Sequence, residues 1–196
     1  MDNLFLTGVD PLIHQCKSEL VYEFEMKELG LMHYFLGLEV WQRPGEIFLS
    51  QGIYIVKLLE RFGMVDYKSV STLMELNFKK LCGNAARPVL ANPTEYRQLV
   101  GALMLLVNSR LDVCFAVNSL SQHMVYPHHI HWIGAKNLLR YLRGTINHGL
   151  RYTAGSLRLH GYIDADWDGS VVDRKSTSGC CFTLGFALIY WMSRKH

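Results

Sequence analysis

The chain has 196 residues, of which 49% are hydrophobic and 19% charged, a balance that excludes a disordered protein and allows one domain or two small ones. Its five cysteines (Cys16, Cys82, Cys114, Cys180 and Cys181) are odd in number and form no C-x-x-C pair, which argues against a disulfide framework and for reduced thiols in a cytoplasmic or nuclear setting. No signal peptide is visible, and the longest apolar run, Leu99 to Val107, falls far short of the roughly 20 residues of a membrane span, so no membrane partner is expected.

The net charge of +3 is unevenly spread. Residues 1–66 carry ten acidic and five basic side chains, whereas residues 67–196 carry seven and fifteen. From Val113 to Ile163 there is no acidic residue, while Lys136, Arg140, Arg143, Arg151 and Arg158 fall inside. Such a tract suits a polyanion gripped by its backbone, and it suits a solvated helix face equally well.

Taken in order, Asp10-Pro11 predicts a helix start, with aspartate as N-cap and proline first in the helix. Leu12, Ile13, Cys16, Leu20 and Phe24 then recur at helical spacing and form one apolar face. His33 to Gln42 reads as a strand, Arg43-Pro44-Gly45 as a turn and Glu46 to Gln51 as the hairpin partner. A helix follows from Ile53 to about Phe62, closed by Gly63. Residues 64–91 are poorly periodic and read as a connecting loop, the expected domain boundary.

Asn92-Pro93-Thr94-Glu95 is a second helix start: asparagine caps, proline comes first and glutamate third. Three helices are expected at 93–107, 112–124 and 129–143, the last ended by Gly144. Leu99, Leu103, Leu106, Phe115, Val117, Leu120, Met124, Leu138 and Leu142 supply enough apolar surface for a small bundle. His123, His128, His129 and His131 crowd one region, but no cysteine or carboxylate lies at ligand spacing, so they are not read as a zinc site. Lys136, Arg140 and Arg143 stand at i, i+4 and i+7, one face of the third helix. Arg151 to Ile163, Gly179 to Leu184 and Leu188 to Met192 read as three antiparallel strands, with an exposed edge expected near Trp191.

The densest chemistry lies in Gly161 to Gly169 (GYIDADWDG), followed by Asp173 to Gly179 (DRKSTSG). Alternate residues of a strand share a face, so Asp164 and Asp166 point the same way and would attract Mg²⁺ or Ca²⁺. The bland reading is a polar turn between strands. Asp164, Asp166, Asp168 and Gly169 match the first half of a helix–loop–helix calcium loop, but the twelfth position is Lys175, not a bidentate glutamate, and the flanks read as strands. The calcium loop is excluded.

This phrase, with a strand ending near Trp191, resembles the opening of the ribonuclease H domain of copia-type retrotransposon polyproteins. The resemblance extends in order over most of the chain: Met26 to Gly30 (MKELG), His33 to Val40 (HYFLGLEV), Ile47 to Gln51 (IFLSQ), Tyr96 to Gly101 (YRQLVG) and Leu139 to Thr145 (LRYLRGT). It implies an α+β chain made of four parts. Residues 1–66 would be a truncated polymerase palm tail with primer-grip hairpin and thumb-like helix, and 67–91 a connecting loop. Residues 92–150 would be a small helical connection, and 151–196 the three-stranded antiparallel start of a ribonuclease H-like sheet.

By the same resemblance, Tyr34, Phe35, Leu36 and Gly37 grip a primer strand, and Lys136, Arg140 and Arg143 are a further nucleic-acid contact. Asp164 matches the first carboxylate of a two-Mg²⁺ site that cleaves RNA in an RNA–DNA hybrid; Asp166 is a weaker candidate ligand. Asp2 is a remnant of the polymerase aspartate pair, whose second position is Asn3, an amide that ligates metal poorly. The family has proline where Leu73 and Leu111 stand. Further carboxylates are expected before Met1 and beyond His196. The expected product is thus a fragment of a reverse transcriptase/ribonuclease H polyprotein, inactive alone, with hybrid nucleic acid and the rest of the polyprotein as partners. A non-catalytic nucleic-acid-binding or scaffold protein that reuses the segment is the alternative; a stand-alone metal hydrolase is a third reading.

Overall fold

The computed structural model describes residues 4–74, 88–155, 157–166 and 176–195, with backbone alone at Asp166 and Lys195. Asp2, Asn3, Asp168, Asp173 and Lys175 therefore lie outside the described residues. The chain divides into two units, residues 1–32 and 33–196.

The first unit holds helix α1 (Asp10–Glu23). Val9, not Asp10, is the N-cap: its carbonyl accepts from the N–H groups of Leu12 and Ile13 at 3.0 and 3.1 Å, which puts Asp10 in the first turn beside the positive end of the helix dipole. No residue of α1 is buried; Leu12 is 59% exposed, and Phe24, just past the helix, is 59% exposed.

In the second unit, β1 (Tyr34–Phe35) and β2 (Leu38–Arg43) replace the single strand expected from His33 to Gln42. Tyr34 pairs with Glu39 and Phe35 with Leu38, so Leu36-Gly37 is a two-residue turn. Its φ angles are +48° and +85°, the double left-handed conformation that matches the twist of a hairpin. Period-2 alternation runs unbroken across such a turn, which is why the pattern reads as one strand.

Strand β3 (Glu46–Ser50) follows the Pro44-Gly45 turn, and its other neighbour is β4 (Gly149–Thr153), a partner about a hundred residues away. The expected strand from Arg151 to Ile163 is corrected accordingly. Its first part closes this antiparallel sheet, ordered β1-β2-β3-β4, and its second part starts another.

Helix α2 (Gly52–Arg61) ends as expected: Gly63 at φ +62° lets its N–H reach Glu60 O at 3.1 Å while the Met64 N–H reaches Leu59 O at 2.8 Å. Helices α3 (Pro93–Leu106), α4 (Cys114–Ser121, preceded by a short 3₁₀ turn, Leu111–Val113) and α5 (His129–Gly144) complete the helical layer. Asn92 caps α3, its side chain accepting from the Glu95 N–H at 3.2 Å.

Among the described residues, one apolar cluster joins α2 to α5: Ile55, Leu58 and Leu59 from α2, Leu99, Leu103 and Leu106 from α3, Val117 and Leu120 from α4, and Leu138 and Leu142 from α5. Segments on either side of residues 67–91 therefore share a core. Each such side chain contributes on the order of 2 kcal/mol when fully buried. Phe115 is not among them; it is 45% exposed.

The second sheet is a meander of β5 (Leu159–Asp166), β6 (Thr177–Leu184) and β7 (Ala187–Lys195). The strand bearing Trp191 is docked rather than bare: the Trp191 indole N–H donates to Val107 O at 2.8 Å, Asn118 donates to Ser193 O at 2.6 Å and the Tyr152 hydroxyl to Leu188 O at 2.9 Å. Among the described residues β7 is an edge of this meander, as expected, and β5 is the other edge, where Leu159, Tyr162 and Ile163 are 64, 61 and 80% exposed.

Candidate functional site

The hairpin sheet and α2 frame the richest collection of side chains. Glu39 on β2 sends Oε2 to the Ile53 N–H at 2.9 Å and accepts from Ser50 Oγ at 3.3 Å, supplying the cap that Gln51 does not. Gly52 leaves room for it, since a Cβ there would stand 3.2 Å from Glu39 Oε2. This carboxylate locks the start of α2 to the sheet.

Trp41, Phe48 and Arg151 form a row across β2, β3 and β4, each directly opposite the next. The Arg151 guanidinium carbon lies 5.9 Å from the Phe48 ring centroid, and its Nε is 3.5 Å from Glu46 Oε1. Trp41 is 61% exposed. With Val56 and Lys57 of α2 and Arg43 at the rim, this face bounds an open groove of about 660 Å³.

Of the residues singled out in sequence, Tyr34, Phe35, Leu36 and Gly37 are brought together at the tip of the same sheet. Leu36 is 82% exposed in a conformation that costs a non-glycine L-residue roughly 1 kcal/mol. Leu36→Asn should raise stability by about 0.5–1 kcal/mol in thermal melts, because asparagine tolerates this region and Asn-Gly is a favoured turn. A fall in melting temperature would mean that the exposed leucine makes a stabilising contact.

Lys136, Arg140 and Arg143 lie along α5, all half-buried. Arg140 Nε donates to Lys68 O at 2.8 Å, Arg143 Nε donates to Val65 O, and Lys136 Nζ lies 5.0 Å from the Trp132 ring centroid. The two arginines thus staple the segment after α2 onto α5. The histidines cluster as rings: His123 stacks on His131 at 3.8 Å, and the buried His131 accepts through Nδ1 from the His128 N–H at 2.9 Å, closing the start of α5.

Sequence reasoning missed one buried polar knot. Arg110, 2% exposed, donates to Asp112 Oδ1 and Oδ2 at 2.9 and 2.7 Å, and to Thr145 O and Oγ1 at 3.0 and 2.8 Å. The Tyr141 hydroxyl donates to Asp112 Oδ2 at 2.8 Å. Burial pushes the Asp112 carboxyl up, but the hydrogen bonds and charge of Arg110, with Tyr141, outweigh it and hold the group below the usual carboxylate range. Alternation of a charge with its counter-charge two residues on (Arg110, Asp112) was the available signal.

Asp164 sits within β5, opposite Gly179 of β6, and is exposed; Asp166 closes the strand opposite Thr177. A two-metal centre needs several carboxylates gathered in one place. Among the described residues, no three His, Cys, Asp or Glu side chains gather to hold an ion. The described donors do not fit a two-metal centre.

The reverse transcriptase (RNA-dependent DNA polymerase) family matches residues 1–76. Over its whole length the chain is 42% identical to the retrovirus-related Pol polyprotein from transposon RE1 of Arabidopsis thaliana, of which it covers 13%. It is 35% identical, over 99% of its length, to the corresponding polyprotein from transposon TNT 1-94 of Nicotiana tabacum, of which it covers 15%. The chain belongs to the copia-type retrotransposon Pol polyproteins. Within this family it corresponds to a segment of the polyproteins, spanning about a seventh of their length or less. An uncharacterized mitochondrial protein of Arabidopsis thaliana is 36% identical over the whole chain, which covers 81% of that protein. No solved structure matches the chain. Among the described residues, no helix is long and apolar enough to cross a membrane.

Proposed function

We propose that this copia-type segment holds nucleic acid for a reverse transcriptase/ribonuclease H machine and does not catalyse hydrolysis alone. Residues 1–66 supply the palm tail, primer-grip hairpin and thumb-like helix, 67–91 the link, and 92–150 the connection. The ribonuclease H-like part lies in 151–196; with Gly149–Thr153 completing the hairpin sheet, its first strand is Leu159–Asp166. The observation that carries this reading is the match of the whole chain to Pol polyproteins. Tyr34, Phe35, Leu36 and Gly37 meet a primer strand at the hairpin tip, and Lys136, Arg140 and Arg143 add positive charge along α5. Asp164 is the first carboxylate of a Mg²⁺-binding set, Asp166 a minor contributor, and Asp2 the surviving polymerase aspartate beside Asn3. One aspartate does not hold two Mg²⁺ ions, so cleavage requires carboxylates that these residues do not bring together.

The test is an RNA–DNA hybrid incubated with the chain and Mg²⁺, read both for cleavage and for binding over a salt series. Wild type and Asp164→Asn should bind alike, lose affinity as salt rises and leave the RNA intact. RNA cleavage by wild type that disappears in Asp164→Asn would overturn the inactivity. A second reading, a free-standing nucleic-acid-binding or scaffold protein, is favoured by the mitochondrial relative of similar extent. Binding without dependence on any other part of a polyprotein is its signature.

A further inference from the structure

We infer that the groove between α2 and the β2–β3–β4 face takes an unpaired base of a single-stranded nucleic acid, stacked on Trp41. The inference rests on the nucleic-acid-holding reading above and adds a site to it, distinct from the hairpin tip and from the basic stripe of α5.

Three features select this ligand. Trp41 offers an exposed flat ring, and its neighbour Phe48 is held by the strand pairing and by Arg151, so the aromatic floor is fixed before anything binds. Aromatic rings on a sheet face accept any base through its π-face, which makes such platforms tolerant of sequence. The charges are arranged for one nucleotide and its flanking phosphates rather than for a bare polyanion. Of the three acids that line the groove, Glu39 is committed to the start of α2 and Glu46 to Arg151, while Glu60 is exposed; the cations Arg43 and Lys57 are exposed too, and phosphates on either side of a stacked base would pass them. The groove, about 660 Å³, lies in the range of sites that enclose a molecule of nucleotide size. A base-paired duplex keeps its bases in its own stack and cannot present one to Trp41, so the site discriminates single strands from hybrid.

The experiment uses the full chain and two probes, a short labelled single-stranded oligonucleotide of mixed sequence and an RNA–DNA hybrid of equal length, followed by anisotropy. Trp41→Ala should weaken the single strand about tenfold or more while changing hybrid affinity less than about twofold; Trp41→Phe should retain most of the binding. Trp41 fluorescence, taken as wild type minus Trp41→Phe, should be quenched by the single strand. Hybrid binding with single-strand affinity indifferent to Trp41→Ala would overturn the groove and leave the broader reading standing. Failure of both probes to bind would overturn both. Because Trp41 is 61% exposed, its replacement leaves the core untouched, and equal melting of the variants confirms that folding is not being measured.

Discussion

Asp112→Asn should destabilise the folded chain by about 3 kcal/mol, the scale expected when a buried cation loses its compensating charge. The Arg110 side chain is 2% exposed, whereas the Asp112 side chain is 32% exposed. The amide keeps the shape and one acceptor but removes the charge that justifies burying the guanidinium. Arg110→Met with Asp112→Asn should therefore be milder than Asp112→Asn alone, and a double-mutant cycle in urea would show that sign. The effect also depends on pH. The Asp112 carboxyl is held below its ordinary value in the fold, so its contribution is fully present above the unfolded carboxylate range, near pH 4, and is lost as pH falls through the lowered folded value. The stability gap between wild type and Asp112→Asn should be constant near neutrality and shrink on acidification. A gap that stays constant down to strongly acidic pH would show that Asp112 contributes packing rather than charge.

What the sequence displays are the features that act over a few residues. Asn92 three before Glu95, and Gly63 after the apolar stripe of α2, are local chemistry, and both caps form as expected. The periodic leucines of α3 and α5 likewise point into one core because helical spacing dictates the face. Long-range partners leave no such mark. Nothing near Glu46 announces that β3 will pair with residues a hundred positions on, so the cross-strand row of Trp41, Phe48 and Arg151 is invisible until the register is known. A basic stripe is ambiguous for the same reason: Arg140 and Arg143 show the spacing of a polyanion contact, yet their Nε–H groups reach backbone carbonyls of the segment after α2. Asp164 is legible by motif and lands within a strand, but whether carboxylates surround it depends on neighbours that sequence proximity does not supply.

Gly149→Ala should be the most damaging single methyl added to the hairpin sheet, costing about 2–3 kcal/mol and opening the groove. A Cβ at this position would lie 2.2 Å from Leu49 O and 2.8 Å from the Phe48 ring. The first clash is with backbone, which cannot rotate away, so either β4 leaves β3 or the strand shifts; in both cases Arg151 loses its place over Phe48. Gly161→Ala provides the contrast. The nearest atoms its Cβ would meet belong to the Phe182 ring, the first also at 2.8 Å, and a ring can swing aside, so the cost should be about 1 kcal/mol. At Gly101, within α3, a Cβ meets nothing within 4 Å, and alanine should stabilise by roughly 0.5–1 kcal/mol through helix propensity alone. The order of melting temperatures, Gly101→Ala above wild type, then Gly161→Ala, then Gly149→Ala, separates a general intolerance of substitution from the specific closure of β4 on β3. If Gly149→Ala melted with wild type, the pairing that carries Arg151 to Phe48 would be wrong, and the groove built on that pairing would fall with it.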